Sequence, residues 1–262
     1  MRSTLRFLSK VHAIFLRELS AFFLSPVAYI VIFLFVFANG LLFFLDCLGL
    51  SDHPQQITRI LQSRFSFAIF LAIPVSPLLT MRLFAEEKRS GSIELLMTTP
   101  VTEAQVVTGK FLATQLFYML IWSTLLLFVL VLEVLGGSSA EGFVSAGPDW
   151  GTVWSFYIGL FFLGLLTNSL GILASTLSNN QLVAAVLALC GTLAFFVVHL
   201  GVWIFYDSVE FQRLFEYMSI NAHFTHDYSR GIVDLRYLAY CTSLMLLFLF
   251  FSIRVVEARK HR

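Results

Sequence analysis

The stretch TVWSFYIGLFFLGLLTNSLGILASTL, Thr152 to Leu177, runs for 26 residues without an Asp, Glu, Lys or Arg. A helix needs about 20 apolar residues to cross a hydrocarbon core about 30 Å thick, so this run reads as a transmembrane span. Five more runs have the same character, at approximately 27–45, 65–83, 111–132, 182–206 and 237–253. The expected fold is an all-α polytopic membrane protein with six transmembrane helices in a single domain over 1–262. Pro74 and Pro77 fall inside the second run, where each removes a backbone donor and predicts a kink.

Composition agrees with that reading. Of 262 residues, 58% are hydrophobic and 13% charged, and mean hydropathy is +0.84. A soluble domain carries roughly 25% charged residues, so this chain has too few polar side chains to coat a water-facing surface. Its 29 Phe suit helix surfaces that face lipid. Cys47, Cys190 and Cys241 are isolated, without a CxxC pair or zinc spacing, and read as small hydrophobes. The first apolar run follows a long basic segment with no small-residue cleavage site, so it is expected to remain as an anchor.

The basic residues set the expected orientation. With six spans and a cytoplasmic N-terminus, 12 Lys and Arg fall on the cytoplasmic side and 5 on the outer side. Both termini are therefore expected in the cytoplasm, with the protein in a bacterial cytoplasmic (inner) membrane.

Residues 1–24 read as an interfacial helix. Leu5, Leu8, His12, Phe15, Leu16 and Leu19 recur at helical spacing, with Arg6, Lys10 and Arg17 opposite and Phe7 and Ile14 off the apolar face. Ser25 and Pro26 then supply a cap and a first-turn proline for span one. On the outer side, 47–64 and 136–150 read as loops, whereas 207–236 contains the amphipathic stretch FQRLFEYM, Phe211 to Met218. Short helices packed into the outer interface are expected there.

The richest segment is FAEEKRSGSIELLMTTPVTEAQVVTGKFLA, Phe84 to Ala113, between spans two and three. Thr102 and Gln105 have capping-box spacing, and Val101 with Val106 can form a hydrophobic staple, so a helix should start at Glu103. Pro100 ends whatever precedes it. A short element over 86–98 is thereby isolated, with a charged head (Glu86, Glu87, Lys88, Arg89) and apolar Ile93, Leu96 and Met97 on one face. Its composition suits either docking to a soluble protein or a solvated connector dipping into lipid.

EEKRSGSIELLMTTPVT followed by VVTGKFLA resembles the cytoplasmic segment of ABC type-2 transporter permeases. FLRELSAFFLSPVAYIVIFLFVF, Phe15 to Phe37, and HFTHDYSRGIVDLRYLAY, His223 to Tyr240, are similar to the gliding-motility-associated permeases of that family. The resemblance implies a membrane permease subunit of an ATP-binding cassette transporter, functioning as an exporter. It implies a coupling helix that seats in a separate ATPase, carried by Glu86, Glu87, Lys88, Arg89, Gly91, Ile93, Glu94, Leu95 and Leu96. It also implies short re-entrant helices between spans five and six.

No G-x-x-x-x-G-K-[ST] phosphate loop is present, and Gly109-Lys110 lacks both the upstream Gly and the following Ser or Thr. This chain is therefore expected not to be an enzyme. It should hold no cofactor, with ATP and Mg bound by the partner ATPase. A second permease copy or paralogue completes the assembly, as homodimer or heterodimer, with an outer-side auxiliary subunit as a further partner and no nucleic acid. Gly164, Asn168, Gly171, Ala184 and Ala188 are expected at close packing or dimer contacts.

Two rival classes make different demands on the sequence. An ion-coupled transporter needs ionisable groups at the midplane; no Asp, Glu, Lys or Arg lies well inside the apolar runs, and His199 is the one residue there suited to carry a proton, though a hydrogen bond to a neighbouring helix explains it more simply. A membrane enzyme or zinc site could use His223, His226 and Asp227, but structured interfacial polarity accounts for these, and no metal is expected. A force-transmitting subunit without transport stays open, and the uncharged spans leave the cargo undetermined.

Overall fold

The computed structural model describes residues 2–49, 57–91, 101–137, 148–204 and 208–260. Among these the chain is helical, without strands, and six helical segments are long and apolar enough to cross a membrane. The protein is a polytopic membrane protein with both ends on one face, called the terminal face below.

The surface helix α1 (Arg2–Phe23) precedes span one, α2 (Pro26–Gly49). Span two is α3 (Ile57–Thr80), continued by a turn into the short α4 (Ala85–Arg89). Span three is α5 (Glu103–Ser123) and α6 (Leu125–Gly137), divided only at Thr124. Spans four and five are α7 (Trp150–Leu177) and α8 (Gln181–Ile204). Two short helices, α9 (Val209–Met218) and α10 (Ile220–His226), lead through a 3-10 turn to span six, α11 (Leu235–Lys260).

Span four is the hub. It packs on spans two, three, five and six, and 67% of its apolar window is buried against 22% for spans one, five and six. Small residues explain how neighbours approach it so closely. A Cβ on Gly171 would meet Thr80 of α3, with Thr80 Cβ at 2.8 Å, and one on Gly164 would meet the Tyr118 ring of α5 at 2.6 Å. Asn168 joins three spans: Ser76 Oγ donates to its Oδ1 at 2.8 Å, and its Nδ2 donates to Gln115 Oε1 at 3.0 Å. Ala184 and Ala188 are buried on α8. Within a single chain, all five small or polar positions are already enclosed.

One sequence expectation holds in atomic detail and others change. The capping box forms as read, with Thr102 N to Gln105 Oε1 at 3.0 Å and the reciprocal bond at 3.4 Å. The stretch 57–64, read as loop, belongs to α3. On α1, Ile14, which lies off the apolar face, is buried against α5, while Leu8 and Leu16 of the apolar face stay exposed. The reason is that α1 rests on α5 along Val11, Ile14, Glu18 and Phe22, where Gly109 leaves space: a Cβ there would lie 2.8 Å from Ile14 Cγ2. Ser25 turns its hydroxyl to the Arg82 guanidinium.

Opposite the terminal face, α9 packs on α8, and α10 folds back against spans two, four and five. Phe224 and Tyr228 seat over Gly159 of span four, with Phe224 Cζ 3.0 Å from where a Cβ would stand. Ser219 caps α10 through Ala222 N at 3.2 Å and also bonds His199 Nδ1 at 3.0 Å. His199 therefore serves a helix-to-helix hydrogen bond.

Candidate functional site

The charged head expected over 86–98 begins as α4, which stops at Arg89. Ser90 N closes on Glu86 O at 2.9 Å, and Gly91 has φ +73°, a left-handed conformation that glycine adopts without steric cost and that ends a helix. A single helix through 98 is thus interrupted at Ser90–Gly91. Ile93, Glu94, Leu95, Leu96 and Met97 lie outside the described residues.

A helix of 5 residues cannot hold itself together in water, so its anchors matter. Ser175, near the end of span four, accepts from Phe84 N at 3.0 Å and Ala85 N at 3.1 Å, and donates to Met81 O at 3.2 Å. Lys88 returns the contact: its Nζ donates to the carbonyls of Thr176 and of Ser178, the latter at 3.2 Å. Each helix end has orphan backbone groups, donors at the start and acceptors at the finish. Here α4 and α7 satisfy each other's, and a cation sits at the negative end of the span-four dipole.

A second anchor is ionic. Lys110 of α5 is 1% exposed, and its Nζ lies 2.8 Å from Glu87 Oε1 and 3.1 Å from Glu18 Oε1, over the Phe84 ring at 5.2 Å. Arg17 reaches Glu87 at 3.1 Å and also pairs with Glu18. Two cations and two anions neutralise one another, which a nearly dry lysine requires. Burial by itself would push the Glu18 carboxyl up, but the Lys110 charge and the Arg17 hydrogen bond outweigh it and hold it below the ordinary value.

The four charges of α4 therefore divide. Glu87 and Lys88 point into the protein and fix α4 to α1, α5 and α7, whereas Glu86 and Arg89 are exposed. A hollow of about 560 Å³ opens beside them, lined in part by Arg17, Arg82, Glu86 and Lys110. Sequence reasoning missed Glu18, Lys110 and Ser175. In the sequence Lys110 stands out as one of the cytoplasmic basic residues, as part of VVTGKFLA and in a Gly109-Lys110 pair that is no phosphate loop, none of which points to an ion pair, and Ser175 carries no local signal at all.

These features define a six-span helical membrane protein with a short charged helix keyed into the end of its central span. The chain belongs to the ABC-2 family of transporter proteins, whose family model matches residues 12–253. Chains of that family are membrane subunits rather than catalytic enzymes, and they generally pair with an ABC ATPase and form dimers. No curated protein matches this chain. The family match gives no support to the gliding-motility subgroup.

Proposed function

We propose that this chain is the permease subunit of an ATP-driven exporter in a bacterial cytoplasmic membrane, with both termini in the cytoplasm. A separate ATPase docks on the segment that opens with α4. Glu86 and Arg89 are the exposed charges of α4, and the docking set also takes in Gly91, Ile93, Glu94, Leu95 and Leu96. ATP and Mg belong to that partner, and a second permease completes the path.

The observation that carries this reading is the reciprocal capping of α4 and span four. A push on an exposed five-residue helix would ordinarily dissipate in a loop. Here Ser175 and Lys88 tie it to the most buried helix of the bundle, and Glu87–Lys110 ties it to span three and α1. Closure of the ATPase would move these elements together as a rigid-body change.

Charge reversal tests it. In Glu86→Lys/Arg89→Glu, the permease should keep its folded elution profile in detergent and lose its co-purifying ATP hydrolysis. Retention of full hydrolysis would remove the docking claim. Glu87 is unsuitable for this test because its loss would also disturb Lys110.

A further inference from the structure

On the face opposite the termini, we propose that His223, Asp227 and Asp234 form a binding site for a divalent cation of the zinc type. His223 lies on α10, Asp227 caps its end, and Asp234 immediately precedes span six. One ligand atom from each lies within 4.8 Å of the others.

The side chain of His223 is 8% exposed, and its two ring nitrogens face different chemistry. Nε2 is 3.0 Å from the Tyr217 carbonyl oxygen, which can only accept, so Nε2 carries a hydrogen. In the neutral ring Nδ1 then presents a lone pair to Asp227 Oδ2 at 3.2 Å and Asp234 Oδ2 at 3.5 Å. Three electron-pair donors converge, and among the described residues no Lys or Arg pairs with either carboxylate. A cation at their centre resolves the repulsion.

The two separations from His223 Nδ1, 3.2 and 3.5 Å, fit the ion. Zinc bonds of about 2.0–2.2 Å to N and O in tetrahedral geometry put neighbouring ligand atoms about 3.3–3.6 Å apart. Support from behind the ligands is also present: the Tyr217 carbonyl fixes the tautomer of His223, and Asp234 Oδ1 accepts from Arg236 N at 2.9 Å. A hollow of about 290 Å³ opens onto the three ligands and leaves room for water in the fourth position, with Arg213, Glu216 and Arg236 elsewhere in its wall. The bound ion would pin α9, through Tyr217, and α10 to the start of span six.

The test uses the full-length protein in detergent, stripped with a chelator and titrated with zinc chloride by calorimetry. One zinc per chain is expected, with binding weakened more than about 10-fold in Asp227→Asn and in Asp234→Asn. Should those variants aggregate, the wild-type thermal midpoint decides, since it should rise with zinc and fall back with chelator. The proposal is overturned by substoichiometric binding, by binding that survives both substitutions, or by a midpoint indifferent to zinc.

Discussion

Lys110 Nζ stands 2.8 Å from Glu87 Oε1, joining the start of span three to the short helix that follows span two. The lysine is nearly dry, so the pair cannot be relaxed by water if one member is lost. Removing one partner of a buried pair costs more than removing both, because a lone charge stays behind.

Lys110→Met should therefore destabilise the protein by about 2–4 kcal/mol, a fully buried pair discounted for the part exposure of Glu87. Adding Glu87→Gln should recover part of the loss, a non-additivity expected of contacting residues. Thermal unfolding of the purified protein in detergent measures both. Strict additivity of the two substitutions would mean that the pair carries no coupling.

Acid should loosen the same junction. The Glu18 carboxyl is held below its ordinary value in the folded protein, so it binds protons more weakly there than in the unfolded chain. Its contribution is complete above the unfolded value of about 4.3 and disappears as pH falls through the lower folded value. The gap in thermal midpoint between wild type and Glu18→Gln should be widest near neutrality and close below about pH 4. A gap that grows on acidification would contradict the assigned pairing.

The contact of Gly171 with Thr80 sets how close spans two and four lie. Gly171→Val should cost about 1–3 kcal/mol by forcing the helices apart. Thr80→Gly should recover some of it, because the obstructing side chain is then gone. No effect of Gly171→Val on the thermal midpoint would mean that the two spans are not packed through this pair.

Lys88→Met/Ser175→Ala cuts the tie between α4 and span four while leaving Glu86 and Arg89 in place. ATP hydrolysis by the complex should persist. An ATP-induced signal from a fluorophore on Trp154→Cys, an exposed position near the far end of span four, should be lost. An undiminished signal would show that motion reaches span four by another route.

Local patterns made much of this fold readable. Span four announces itself by length and lack of charge, and Thr102 with Gln105 announces the start of span three within four residues. The junction at α4 was not readable, because its partners are distant in sequence: Ser175 lies 91 residues from Phe84, and Glu18 lies 92 from Lys110. Periodicity reports which face of a helix is apolar, not what will cover it. For α1 it marks the stripe of Leu8 and Leu16, and does not show that Gly109 lets α5 cover the Ile14 face as well. His223 and Asp227 were visible as a short motif, but Asp234 joins them only once the chain turns into span six.

Site-specific photo-cross-linking tests the central claim most directly. A photoreactive residue at Glu86 or Arg89, activated in native membranes, should form an adduct with a protein that binds immobilised ATP. The same residue at Trp154, toward the other end of span four, should form none. Absence of an ATP-binding adduct at 86 and 89, or equal yield at 154, would contradict a terminal-face ATPase acting through α4.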